Sequence, residues 1–264
     1  MGIFRKFIGL NVKLSRLFNL SNLSEFGSHV EYLRLAAILF SAPDVKRVMD
    51  VAAGAHWQFP IAYKDAYGLE LSGVDVDEAA IDENNSLDFR YAGDVCGISK
   101  IGIGGYDLLT CYSGIEHFPD VQSFLENAFA ALRPGGALIA QFPGPLAPFA
   151  ILNRLLPQGL KKKMLNAVFP SAADAIGYAV SYDKCRYSEF KAAAERAGFQ
   201  VEYCLRFYIS SSYFVWLFPL FLLSQLLDMI RLIFGTKDMA SYYLFVLRRP
   251  GEHFAIKWSW HNDS

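Results

Sequence analysis

The sequence predicts an α/β domain with a parallel sheet covered by helices on both faces. Three observations predict it. From residue 30 onward, short apolar runs of strand length alternate with longer runs at helical spacing. Turn signals such as Gly93-Asp94 and Arg133-Pro134-Gly135-Gly136 punctuate that alternation. Acids or small residues recur at the ends of the apolar runs, where a parallel sheet forms its ligand crevice. The 264 residues suit one large domain with insertions.

Taken in order, residues 3–20 form a basic amphipathic helix. Ile3, Phe4, Phe7, Ile8, Leu10, Leu14, Leu17 and Phe18 are apolar, and Arg5, Lys6, Lys13 and Arg16 fall largely between them. Such a helix packs on a domain edge or lies on anionic lipid, and the sequence leaves both open. Residues 30–40 read as a helix, 47–51 as the first strand, 57–66 as a helix and 71–76 as the second strand. A helix over 77–84 and a third strand over 88–92 follow. The fourth strand covers 106–112, a helix 121–132, and the fifth strand 137–142. Residues 145–180 break the rhythm with four prolines, an apolar run and Lys161-Lys162-Lys163, and read as a helical insertion above the strand ends. A helix over 187–197, a sixth strand over 199–207 and a last strand over 241–248 complete the pattern. The division is an N-terminal helix (1–28), a main domain (29–250, with insertions at 145–180 and 208–238) and a tail (251–264).

Composition narrows the function. Apolar residues make up 53% of the chain and aromatics 15%, while charged residues are 19%, below the usual share of about 25%. Mean hydropathy is +0.21. A disordered chain is excluded. A net charge of −1 gives no basic field, so nucleic acid is not an expected partner. Cys96, Cys111, Cys185 and Cys204 form no CxxC pair and no cluster with the five histidines. They read as scattered buried thiols of a reducing, cytoplasmic compartment, with no metal site. The N-terminus lacks a continuous apolar core and a cleavage signal, so it does not read as a secretory leader. Lys6 stands where a myristoylation motif needs Ser or Thr.

The apolar surplus peaks at 213–234, where Asp228 and Arg231 are the charged residues among 22. The length permits a membrane span. Topology argues against one, because a crossing would part the last strand from its sheet, and Pro219 is expected to interrupt the helix. Asp228 and Arg231, three apart, can pair on one polar side. A buried cover, a homodimer interface and a helix at the membrane interface remain open.

Three acids carry the chemistry. Asp50 ends the first strand and leads into Ala52-Ala53-Gly54, small residues that let a ligand approach the backbone. Asp75 ends the second strand, where a carboxylate can accept from both hydroxyls of a ribose. Asp94 follows the third, where it can accept from the exocyclic amine of adenine. Each alone is commonly a helix cap; their order describes an adenosine site.

On these residues the chain resembles the class I S-adenosylmethionine-dependent methyltransferases, and within them the ubiquinone-biosynthesis group. VMDVAAGAH stands in place of the first glycine motif, GVDVDEAAI and AGDV match the second and third acids, and YDLLTCYSGIEHFPD matches the strand-four motif. LRPGGALIAQFP and SYDKCRYSEFKAAAERAGFQVE match the later segments, so the likeness covers roughly 45–144 and 181–207. The resemblance implies a Rossmann-like, seven-stranded mixed sheet of order 3-2-1-4-5-7-6. It implies S-adenosylmethionine held by Asp50, Ala52, Ala53, Gly54, His56, Asp75, Val76, Asp94, Val95 and Ser113. Ala52 and His56 depart from the motif's first and third glycines; alanine is a small change where φ is negative. His56 reads as a surface residue or as a donor to cofactor or substrate. His117 is the candidate base and Glu116 its orienting partner, unless the pair only caps the next helix. The expected activity is methyl transfer to oxygen or carbon of a small or lipid-linked acceptor, at a peripheral membrane site if the apolar insertions face lipid. The alternative is a membrane-associated, non-catalytic relative with a decayed cofactor site.

Overall fold

The computed structural model describes residues 3–19, 27–97, 104–155 and 179–251. The lysine cluster 161–163, most of the 145–180 insertion and the tail from 252 lie outside them. Seven strands run β1 (Arg47–Val51), β2 (Glu70–Asp75), β3 (Phe89–Ala92), β4 (Tyr106–Tyr112), β5 (Leu132–Pro143), β6 (Gln200–Phe207) and β7 (Tyr242–Arg248). They form one sheet in the order β3-β2-β1-β4-β5-β7-β6. The first five are parallel, and β7 runs antiparallel to both β5 and β6. This is the expected class I methyltransferase topology.

The helices are α1 (Ile3–Leu17), α2 (Gly27–Phe40), α3 (Ile61–Tyr67), α4 (Glu78–Glu83), α5 (Val121–Ala131), α6 (Pro148–Leu155), α7 (Tyr187–Arg196) and α8 (Phe218–Phe234). Two apolar cores flank the sheet. One packs Phe124, Leu125 and Phe190 against β4, β5 and β7. The other packs Tyr32, Leu35 and Leu39 of α2 against β1, β2 and β4. Apolar residues thus leave both faces of the central strands, as a sheet buried on both sides requires.

Several boundaries differ from the sequence reading. The α3 helix begins at Ile61, because Pro60 sits at its N-cap and Trp57 and Phe59 are buried against α2 instead of joining a helix. Strand β5 starts at Leu132, since the Pro-Gly-Gly segment continues the strand; Gly135 N–H donates to the Arg249 carbonyl. Pro219 opens α8 at its first turn, where its missing N–H costs nothing, so it does not interrupt the helix.

At the sheet's N-terminal end, Asp107 fixes the register of β1. It accepts from Lys46 N (2.8 Å) and Arg47 N (2.7 Å) and pairs with Arg133. The opposite end carries the site. Strand order reverses between β1 and β4, both parallel, so their C-terminal ends diverge into a crevice.

Candidate active site

The crevice is built by four strand ends. Asp50, on β1, is paired in register with Gly73 of β2 and Thr110 of β4. It is buried, and Thr110 Oγ1 donates to its Oδ1 at 2.6 Å. Burial raises its carboxyl to about 7; the Thr110 bond opposes this and the Asp75 charge adds to it.

The loop after β1 folds tightly against the loop after β4. Ala52 has φ +56, so the condition for a harmless glycine replacement is not met, and alanine sits in the left-handed region. Ser113, just past β4, has φ +51. A Cβ on Gly114 would stand 2.7 Å from the Ala52 Cβ, so the closeness of the two loops requires glycine there. Ala53 is buried and donates its N–H to the Val74 carbonyl. Gly54 has φ +52 and open space where its Cβ would lie. His56 is exposed in the same loop.

Asp75 joins the loops. Its Oδ2 accepts from Gly54 N–H and its Oδ1 from Asp77 N–H, both at 2.9 Å. A carboxylate has about four lone-pair sites, so each oxygen keeps capacity for a ligand hydroxyl. Val76 beside it is 61% exposed, an apolar surface at a polar rim. Asp94 is exposed beyond β3 and its Oδ1 accepts from Cys96 N–H at 2.8 Å, which aims the side chain. Val95 is buried, and its carbonyl accepts from Asn127. Two fixed carboxylates, an exposed valine and an open glycine loop fit an adenosine-bearing cofactor.

Glu116 and His117 lie in a short 3-10 turn (Ile115–His117) after β4. Glu116 is buried and its Oε2 has no hydrogen-bond partner; burial lifts its carboxyl to about 8. The Glu116 carbonyl accepts from Ser181 and Tyr182 N–H, tying the segment before α7 to this turn. His117 Nδ1 meets the Ala179 carbonyl at 3.0 Å. A carbonyl only accepts, so Nδ1 donates to it, and Nε2 is the ring nitrogen left to face the site. Nε2 stands 3.9 Å from Glu116 Oε1.

A cavity of about 660 Å³ opens beside Ser113. His29, Tyr112, Ser113, Gln141, Tyr213 and Tyr242 line it, and α1 closes it through Ser15 and Arg16. The sequence reading named only Ser113 among these. His29 lies in the first turn of α2, its ring edge-on to Tyr112 at 5.0 Å. Its Nδ1 is buried without a partner, and burial lowers its pKa, so the ring is neutral near pH 7. Gln141 Oε1 accepts from Ser113 Oγ and its amide donates to Ser28. The cavity residues come from seven separate elements, and no local motif unites them. Thr110 did carry a signal: it is a polar residue in an apolar strand, level with Asp50.

Comparison with known proteins bears on the family and the fold. The model of a family described as "Methyltransferase domain" matches residues 26–203. A ubiquinone biosynthesis O-methyltransferase of Coxiella burnetii (strain Dugway 5J108-111) is 31% identical over 99 residues, which is 35% of this chain and 42% of that protein. The chain therefore spans less than half the length of that relative. A demethylmenaquinone methyltransferase of Thermus thermophilus is 26% identical over 133 residues, covering 48% of this chain and 60% of that one. Among solved structures, an S-adenosylmethionine dependent methyltransferase from Mesorhizobium loti superposes with a TM-score of 0.51 at 16% identity, covering 84% of this chain and 98% of its own.

Proposed function

Because the chain belongs to the methyltransferase-domain family whose model spans residues 26–203, we propose that it transfers a methyl group from S-adenosylmethionine to oxygen or carbon of a small or lipid-linked acceptor. The observation that carries this reading is the set of acids at the C-terminal ends of β1 and β2 and just past β3, beside a cavity at the end of β4. Asp75 would hold the ribose, Asp94 and Val76 the adenine, and the 52–56 loop with Asp50 the amino-acid end. The cofactor would supply a methyl group already attached to a good leaving group.

The protein's own task is then to orient the acceptor and remove its proton. Proximity and alignment dominate such a reaction. The rings of Tyr112, Tyr213, Phe221 and Tyr242 stand among serine, asparagine and glutamine side chains in the cavity beside Ser113, which suits an acceptor ring that carries polar groups. His117 through Nε2 and His29 through Nδ1 are the two imidazoles near the β4 end placed to take a hydroxyl proton. Oxygen or carbon acceptors are favoured over protein or nucleic acid by the near-neutral net charge and by the apolar helices beside the cavity.

Calorimetric titration with S-adenosylhomocysteine tests the reading. Wild-type protein is expected to bind, and Asp75→Ala to bind more weakly by about 1–3 kcal/mol through lost charged hydrogen bonds. Folded protein that binds no ligand would remove the enzyme reading and leave the non-catalytic alternative. Equal affinity in the folded variant would mean that the ribose lies elsewhere. The finer reading, action on an acceptor at a membrane surface, rests on α1 and α8.

A further inference from the structure

Helices α1 and α8 are amphipathic with their faces reversed. On α8 the residues turned toward the protein are Phe221, Ser224, Gln225, Asp228 and Arg231, mostly polar. The outward residues are Leu222, Leu223, Leu226, Leu227, Met229, Ile230, Leu232, Ile233 and Phe234, all exposed and all apolar; Phe234 is 79% exposed. Most of the buried polar face is hydrogen-bonded, with Ser224 Oγ left without a partner. Asp228 accepts from Ser210 N (2.8 Å), Ser211 N (2.7 Å) and Ser210 Oγ (3.2 Å) and pairs with Arg231, which donates to the Met239 carbonyl. The orientation is therefore fixed by specific bonds.

Helix α1 repeats the arrangement. Asn11 and Ser15 are buried: Asn11 Oδ1 accepts from Phe218 N (2.9 Å) and Ser15 Oγ donates to the Val215 carbonyl (3.1 Å). Phe7, Leu10, Leu17 and Phe18 face outward, and Phe18 packs on Phe218 at 5.4 Å. The two helices thus share one apolar surface, well beyond the scattered exposed side chains of an ordinary surface. Its charges are of one sign. Lys6 and Lys13 are exposed on α1, which contains no acid, and no charge stands on the outer face of α8.

We propose that the outer face of α1 and α8 seats on an anionic phospholipid surface, with the apolar residues in the acyl boundary and the α1 cations at the headgroups. This deepens the membrane part of the reading above by naming the surface and the lipid charge. Two points favour lipid over a second copy of the chain. A two-fold contact through this face would bring the α1 cations of both copies together with no acid to meet them. An anionic leaflet complements them, and cation-flanked apolar helices are the form that interfacial helices take. In addition, α8 has 17 residues, and no helix among the described residues is long and apolar enough to cross a membrane, so the contact is a one-sided seat. The inner face of α1 closes the cavity beside Ser113, so a seated protein holds that cavity next to lipid.

The test is vesicle sedimentation of the full chain with no methyl donor present. The probes are phosphatidylcholine vesicles with and without phosphatidylglycerol. Wild-type protein is expected to pellet with the anionic vesicles, about tenfold better than with pure phosphatidylcholine. Leu223→Glu with Leu226→Glu should abolish pelleting, and Lys6→Glu with Lys13→Glu should abolish the preference for anionic lipid. Both pairs replace exposed side chains, and calorimetry with S-adenosylhomocysteine reports whether each variant keeps the wild-type ligand response. Wild-type protein left in the supernatant, or variants that pellet as well as wild type, would overturn the proposal. So would a wild-type dimer in light scattering that Leu223→Glu with Leu226→Glu converts to monomer without vesicle binding in either form. A failure of ligand binding alone bears on the methyl-transfer reading and leaves the sedimentation result to stand.

Discussion

Replacing Glu116 by Gln isolates a pH-dependent cost carried by one buried carboxyl. Glu116 is 6% exposed, its Oε2 has no partner, and burial lifts its pKa from 4.5 to about 8. An acid with a pKa raised by folding keeps its proton in the folded chain and loses it in the unfolded one. Between about pH 4.5 and 8 the folded state therefore binds more protons, and stability falls as pH rises. One proton gives at most about 1.4 kcal/mol per pH unit, or roughly 3.5 kcal/mol from pH 5 to 7.5. Gln keeps the shape and cannot ionise. Its extra amide donor adds a constant offset and leaves the slope untouched. Asp50 acts in the same direction, with a carboxyl lifted to about 7, but it is present in both proteins and cancels in the comparison. The assay is urea denaturation of wild type and Glu116→Gln across that pH range. The variant should gain on wild type steadily as pH rises. A stability difference independent of pH would show that Glu116 is ionised in the folded protein and that its burial is compensated.

Two further outcomes are expected. Asp107→Ala should cost about 2–3 kcal/mol in urea denaturation, because two backbone donors and Arg133 lose their acceptor. Its affinity for S-adenosylhomocysteine should stay unchanged, since it sits at the far end of the sheet. Asp228→Ala should cost about 3–5 kcal/mol, the penalty for stranding a buried cation and two serine N–H groups. Limited proteolysis should then cut within α8 first.

Most strands could be read from sequence because each is an apolar run closed by a turn residue, and the three acids stand at or just beyond strand ends. Strand β5 reads short in sequence because Pro134 and the two glycines look like a stop; Arg249, just past β7, bonds to Gly135 and Gly136 and extends the strand through them. The strain at Ala52 could not be read, since a φ of +56 follows from its packing on Gly114 and leaves no trace in residue type. The cavity is not legible in sequence because it is assembled from α1, α2, β4, β5, the 211–215 segment, α8 and β7, and only tertiary contact joins them. For α8 the three-residue spacing of Asp228 and Arg231 marks one polar side, and the two pair as expected, with Ser224 and Gln225 on the same side. Its direction was not legible, because apolar residues are ordinarily assigned inward and here the polar stripe meets the protein.

The place of β7 affects how the protein is made. It follows α8 in the chain yet lies between β5 and β6, and β6 pairs only with it among the described residues. A ribosome releases the chain from its N-terminus, so β6 and the greasy face of α8 emerge together while the β5 edge is still open. Until residue 248 has emerged, the nascent chain carries an unpaired sheet edge beside an apolar helix, a combination prone to aggregate. Synthesis close to a bilayer or a chaperone would shield that stage, and fragments that stop short of β7 are expected to be insoluble even though the crevice at β1 to β4 is complete.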